Sequence, residues 1–200
     1  MPTVLLIRHG ENDYSHRQKL AGRLPGVHLN EKGKKQVMEL ARALEPLPLK
    51  AVYSSPLERA METAEMIAEV HKLKVVRRPG LIETNQPRWQ GRSVKQLRRT
   101  KEWRVLQTTP SRFRFPGGES IAQQQLRQVD ELEALCERHK ERDFFACVGH
   151  ADPFKLLVAY YIGLTLDNFQ RLTLNTASVS MLAINKRGVK LLRLNWTVRI

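Results

Sequence analysis

The chain has 200 residues, with 34 basic against 20 acidic side chains and a formal net charge of +14. A chain this long makes a single domain, residues 1–200, that buries roughly 70% of its unfolded surface without needing a disulfide or a structural metal. No apolar run approaches the ~18 residues of a membrane helix, so no membrane partner is expected, and the positive balance selects anionic partners without choosing among them.

The first element is the apolar run Val4-Leu5-Leu6-Ile7, a buried strand that empties into Arg8-His9-Gly10-Glu11. In an α/β protein, strand exits are where active sites are built. A helix is predicted over Glu31–Leu44, with Asn30 as its cap and Val37, Leu40, Ala41 and Leu44 on one face. A second strand, Ala51-Val52-Tyr53, ends in Ser54-Ser55-Pro56 and leads into a helix over Leu57–His71 that carries Arg59 near its start. A third strand, Lys74-Val75-Val76, runs through Pro79-Gly80-Leu81-Ile82 to Glu83.

Residues 84–118 break the alternation. They are rich in Arg, Gln, Pro and Trp, carry one helix-like piece at Ser93–Trp103, and read as a lid or substrate wall inserted over the sheet edge. Beyond them a helix is expected over Glu119–Arg138, with Ile121, Leu126, Val129, Leu132 and Leu135 as its apolar residues. The strand Phe144–Val148 then ends in Gly149-His150-Ala151. A helix opening near Asp152-Pro153 includes Leu156, Leu157, Tyr160 and Ile162. Strands over Val179–Asn185 and Val189–Trp196 close the chain as a hairpin through Lys186-Arg187-Gly188, and the last strand is a candidate for pairing across a homodimer. Cys136 and Cys147 fall in a helix and a strand, as small core residues suited to a reducing, cytoplasmic compartment.

Strands alternating with helices argue for an α/β protein with a doubly wound, mostly parallel sheet and an antiparallel edge. If the strands are parallel neighbours, Arg8, His9, Arg59, Glu83 and His150 share one edge. Two imidazoles, two guanidiniums and a carboxylate suit phosphoryl transfer, which needs an aligned nucleophile, cations around the equatorial oxygens and an acid for the leaving group. A neutral His9 can attack phosphorus through one ring nitrogen if the other donates to a backbone carbonyl. Arg8 and Arg59 offer planar forks that lysine cannot.

The ordered series Leu6-Ile7-Arg8-His9-Gly10-Glu11, Ser54-Ser55-Pro56-Leu57-Glu58-Arg59-Ala60, Glu83 with Trp89-Gln90-Gly91, Pro116-Gly117-Gly118-Glu119-Ser120 and Val148-Gly149-His150 resembles the motif set of the histidine phosphatase superfamily, the phosphoglycerate-mutase-like proteins. The resemblance implies a three-layer α/β/α sandwich and a phosphohistidine formed on His9. It further implies phosphate binding by Arg8, Arg59 and His150, and it fits a metal-independent phosphomonoesterase acting on a small phosphorylated metabolite. Glu83 is the expected general acid, which requires a raised pKa. No metal or other cofactor is expected, since no carboxylate cluster of suitable spacing appears.

Several positions depart from the family pattern. Asn12 and Ser15 stand where the family usually has Thr or Ser and a phosphate-touching Asn, and Ala151-Asp152 stand where Gly is common. The loop Gly22–His28 is one residue longer and brings Arg23 and His28 toward the expected pocket mouth. Asn12, Ser15, Arg23 and Ala151 are accordingly the candidate substrate-binding residues. From Lys95 to Phe115 basic residues interleave with Trp103, Phe113 and Phe115, either to grip a ring-bearing phosphate compound or as a solvated face over packing aromatics. The alternatives are a phosphoglycerate-type mutase sharing the intermediate, a non-catalytic phosphate-binding protein, and a basic RNA-associated protein. No nucleic-acid-binding module is recognisable in the chain.

Overall fold

The computed structural model describes residues 2–185 and 188–198. Six strands form one sheet: β1 (Thr3–Arg8), β2 (Leu49–Ser54), β3 (Val75–Arg77), β4 (Phe144–Gly149), β5 (Val179–Asn185) and β6 (Gly188–Trp196). Their order across the sheet is β3-β2-β4-β1-β5-β6. The first four are mutually parallel, β5 runs antiparallel to β1, and β6 runs antiparallel to β5. The expected mostly parallel sheet with an antiparallel edge is therefore observed. Residues 186 and 187 of the expected hairpin turn lie outside the described residues.

The strand runs are continuously apolar because both faces are covered. Period-2 alternation sends Leu5, Ile7, Val52, Ala146 and Val148 to one face. There they meet α2 (Glu31–Leu44) and α3 (Glu58–Val70). Val4, Leu6, Tyr53, Phe145 and Cys147 go to the other face, against α6 (Ile121–Cys136) and α7 (Ala151–Tyr161). This gives the three-layer sandwich. Both cysteines are free and buried, as expected. Each fully buried Leu, Ile or Phe contributes about 1.5–3 kcal/mol of transfer free energy, so two apolar faces hold the layers together.

Helix α2 follows the sequence closely. The Asn30 side chain accepts from Gly33 N at 2.8 Å, and Val37, Leu40, Ala41 and Leu44 are all buried. Gly33 lets α2 approach the loop after β1, because a Cβ there would sit 2.0 Å from Glu11 O. Elsewhere the structure corrects the expectation. The piece over Ser93–Trp103 is two helices, α4 (Val94–Leu97) and α5 (Lys101–Thr108). They are separated because Thr100 turns its hydroxyl to Leu97 O and accepts from Trp103 N, starting a new helix instead of continuing the old one. In α6, Leu126 is 57% exposed, while Gln124 and Gln128 are buried in its place. Tyr160 and Ile162 near the end of α7 are also exposed.

The segment 84–118 is held by its own apolar cluster. Trp89, Leu97, Leu106, Phe113 and Phe115 pack with Ile121, Leu156, Ala159 and Phe169. Trp89 lies against Trp103 at a centroid distance of 5.8 Å, and Phe113 meets Phe115 edge to face at 4.9 Å. The aromatics of the basic stretch are thus packing residues. Phe113 and Phe115 are not available for stacking on a nucleobase.

Candidate active site

The sheet register positions the site. Arg8 pairs with Gly149 and Ser54 with Val148, so β1, β2 and β4 end on one line. His9 N donates to Gly149 O at 3.0 Å and Ser55 N to Val148 O at 2.9 Å, which stitches the exits together. Each strand therefore delivers a polar side chain one residue past its end.

His9 and His150 face each other with ring centroids 5.3 Å apart and planes at 65°. His9 Nδ1 lies 2.7 Å from Gly10 O, an acceptor only, so Nδ1 carries the proton and Nε2 keeps its lone pair. Arg59 Nε donates to that Nε2 at 3.3 Å. The same guanidinium donates through Nη2 to Gly22 O at 2.8 Å and lies 3.4 Å from His150 Nδ1. His150 Nε2 is 2.8 Å from Ser55 Oγ. Burial, reinforced by Arg59, pushes both histidines well below the usual imidazole range, and both rest neutral.

Arg59 is 1% exposed at the start of α3, and Arg8 donates through Nη1 to Leu174 O at 2.6 Å. Arg8 Nε and Arg59 Nη1 are buried and have no hydrogen-bond partner among the described residues. Buried guanidinium N–H groups left without acceptors are costly, and a tetrahedral dianion would satisfy them. Burial lowers the pKa of both arginines, in which Glu83 opposes the shift.

Glu83 is raised above the usual carboxylate range by burial, against the pull of Arg59. Its Oε1 accepts from Thr84 N at 2.8 Å and Thr84 Oγ1 at 3.1 Å, while Oε2 lies 3.7 Å from His150 Nδ1. With Oε1 already taken by two donors, a proton on this carboxyl belongs on Oε2, the oxygen nearer the histidines.

Arg8, His9, Arg59 and Glu83 line a cavity of about 160 Å³ together with Asn12, Tyr14, Ser15, Lys19, Leu20, Ala21, Gly22, Gln86, Ala151 and Asp152, whereas His150 is fully buried and outside that lining. Asn12 and Ser15 are locked in a reciprocal cap of the short helix α1 (Asp13–His16): Asn12 Oδ1 accepts from Ser15 N at 2.9 Å and Ser15 Oγ accepts from Asn12 N at 3.0 Å. Arg23 is outside the lining. Its Nε donates to Glu83 O at 2.8 Å and its Nη2 reaches Glu119 Oε1 at 3.4 Å, so it braces the segment carrying Glu83. His28 is exposed and bound to Glu62. A larger hollow of about 510 Å³ lies beside Arg8, Glu11, Lys32 and Asn175, away from the two imidazoles. Among the described residues no group of three or more His, Cys, Asp or Glu side chains could hold a metal ion. Nor is any helix among them long and apolar enough to cross a membrane.

Four supporting residues, Thr63, Thr84, Gln124 and Gln128, escaped the sequence reading. Thr63 accepts from Gly10 N at 3.1 Å and donates to Arg59 O at 2.8 Å, tying the His9 loop to α3. Its spacing of four from Arg59 was the available signal, since such pairs share a helix face. Thr84 is held by Gln124 Nε2 at 2.6 Å, and Gln128 Nε2 donates to Gly80 O at 2.8 Å. Two glutamines four apart inside the apolar pattern of α6 marked a polar contact within the fold.

The profile of the histidine phosphatase superfamily (branch 1) matches residues 4–197. Phosphoserine phosphatase 1 of Hydrogenobacter thermophilus is 31% identical over 202 residues, which cover 100% of this chain and 95% of the relative. A probable phosphoglycerate mutase, GpmB, of Erwinia tasmaniensis is 31% identical over 90% of this chain and 84% of its own. Among solved structures, a phosphoserine phosphatase of Entamoeba histolytica in complex with 3-phosphoglyceric acid matches with a TM-score of 0.89 at 24% identity, covering 98% of each chain. Bacillus stearothermophilus YhfR matches at 0.91 and 23% identity, over 100% of this chain and 98% of its own. These two likenesses speak for the fold.

Proposed function

The chain belongs to the histidine phosphatase superfamily, branch 1, and from that premise we propose that it hydrolyses a small phosphate monoester through a phosphohistidine on His9. The observation that supports this reading is the pairing of a nucleophile and its cradle: His9 Nε2 carries no proton and accepts only a long 3.3 Å bond from Arg59 Nε, while Arg59 Nη1, like Arg8 Nε, is a buried donor without a partner among the described residues.

The steps follow from the geometry. His9 Nε2 attacks phosphorus as the bond from phosphorus to the ester oxygen breaks, and the Arg8 and Arg59 donors take the charge on the equatorial oxygens. Glu83, whose pKa burial raises, gives an Oε2 proton to the departing alkoxide. The resulting carboxylate then takes a proton from water, the hydroxide attacks phosphorus, and the bond from phosphorus to Nε2 breaks to release inorganic phosphate and neutral His9. His150 donates to the phosphoryl group once the dianion offsets the depression of its pKa. Segment 84–118 acts as the substrate wall, through Gln86. The two buried free cysteines support placing the enzyme in a reducing cytoplasm.

p-Nitrophenyl phosphate is the direct test. Hydrolysis by the wild type, a loss of about 10⁴-fold or more in His9→Ala, and an acid-labile phosphoenzyme trapped from the wild type alone are the expected results. A His9→Ala protein that keeps wild-type turnover would sink the proposal. The mutase reading draws on the GpmB relative; it requires isomerisation of a phosphoglycerate that depends on a bisphosphate primer, and that assay separates the two.

A further inference from the structure

The excess positive charge of the chain is not spread evenly. Residues 84–118 hold nine of the 34 basic side chains and one of the 20 acidic ones, Glu102. Arg92, Lys95, Arg98, Arg99, Lys101 and Arg104 are all exposed, and none forms an ion pair among the described residues. An ordinary solvated helix face mixes signs. On α2, Lys34 pairs with Glu31 and Arg42 with Glu39.

This unpaired face adjoins the cavity mouth. Gly91 N donates to Leu20 O at 2.7 Å, Leu20 N to Arg92 O at 3.0 Å, and Val94 N to Gln18 O at 2.9 Å. Lys19 is bridged to Ser93, and both Lys19 and Leu20 line the cavity. The rim of the site and the start of the cationic segment are thus one hydrogen-bonded piece. Trp89, Phe113 and Phe115 are buried and the half-buried Trp103 packs on Trp89, so the outer surface offers mainly charge.

We propose that the exposed face of residues 92–104 is an anion-capture surface that concentrates phosphate-ester dianions at the cavity mouth. This rests on reading the cavity as a phosphatase site. A one-signed patch beside a cleft raises the local concentration and encounter rate of oppositely charged ligands, and salt screens it over about 10 Å at 0.1 M. The field acts on capture and not on the chemical step, so it enters kcat/KM and leaves kcat alone.

The test compares three proteins on p-nitrophenyl phosphate between about 20 mM and about 200 mM NaCl, a range over which the screening length shrinks severalfold. They are the wild type, a variant with Arg98, Arg99, Lys101 and Arg104 each replaced by Gln, and a control with Lys50, Lys72, Lys74 and Lys140 each replaced by Gln. The control removes the same charge from the opposite pole, where β2, β3 and β4 begin. Wild-type kcat/KM is expected to fall by roughly tenfold with salt. The first variant should start lower and fall much less, the control should follow the wild type, and kcat should hold in all three. Equal salt slopes in wild type and first variant, equal flattening in the control, or a loss confined to kcat would overturn the proposal. Calorimetric binding of inorganic phosphate over the same series keeps the test independent of turnover: a wild type that turns over nothing fails the functional reading, while capture still stands or falls on the salt slope of phosphate affinity. Tight binding of a single-stranded RNA, lost in the first variant while its phosphate slope stays that of the wild type, would reassign the surface and refute the capture role.

Discussion

The floor of the cavity and the proposed wall, residues 84–118, handle cations in opposite ways. On the floor, Arg8 and Arg59 are held in the fold, each fixed by a carbonyl, Leu174 O and Gly22 O, and Arg8 Nε and Arg59 Nη1 are left buried without a partner among the described residues. On residues 92–104, Arg98, Arg99 and Arg104 stand in solvent and form no ion pair among the described residues. Position matters on the floor, where a fork must meet oxygens within hydrogen-bond reach. Only the sum of charges matters on the wall, because a screened field does not depend on rotamers. Conservative changes should therefore hurt one region and spare the other.

The largest expected effect breaks the wall at its foundation. Trp89→Ala empties the centre of the aromatic cluster that carries the segment and should cost about 3–5 kcal/mol, read as a shift in the urea midpoint, with KM raised as the wall loosens. If unfolding and KM are unchanged, the wall does not rest on that cluster.

Arg59→Lys keeps the charge but loses the fork and its contacts to Gly22 O, His9 and His150, and should lower kcat/KM by about 10²–10³-fold. The matching change on the wall, Arg98→Lys, should leave kcat/KM within about twofold, since it preserves the field. Similar losses from both would erase the distinction between fixed donors and summed charge.

The pH profile sharpens the same contrast. In the proposed reaction His9 is the neutral nucleophile, and its lowered pKa should move the acidic limb of kcat/KM below the ordinary histidine value of 6.5. With Glu83 as the proposed acid, its raised pKa predicts that activity is lost as pH climbs past it. Glu83→Gln should remove the alkaline limb and slow poor leaving groups far more than nitrophenolate. Gln substitutions at Arg98 and Arg99 should leave both limbs in place. The smallest effect belongs to Leu126→Ala on the solvent side of α6, expected to alter stability by no more than about 0.5 kcal/mol.

The strands and the major helices were readable because local chemistry and tertiary demand agree there. The run from Val4 to Ile7 is apolar at every position and both its faces are covered, and Asn30 with the Val37, Leu40, Ala41, Leu44 spacing marks a helix that needs no further information. Arg8, His9, Arg59 and His150 could be picked out because each falls at or just past a strand end or helix start. Leu126 belongs to the apolar residues of α6 and is nevertheless exposed, because hydrophobicity alone does not say which side of a helix meets a neighbour. Arg23 was placed at the pocket mouth from its loop, but a long side chain goes where its acceptors are, here Glu83 O and Glu119.

The order of elements, the parallel sheet and the chemical kinds of residue at its exits were determined by the sequence itself, through periodicity, caps and motif order, all of which act over a few neighbouring residues. Only the tertiary structure decided that His9 and His150 stand 5.3 Å apart, which ring nitrogen keeps its lone pair, that Glu83 is held by Thr84 and Gln124, and that the positive charge gathers beside the cavity mouth. Those facts join residues dozens of positions apart, and their distances are set by strand register and helix packing, which no local pattern encodes.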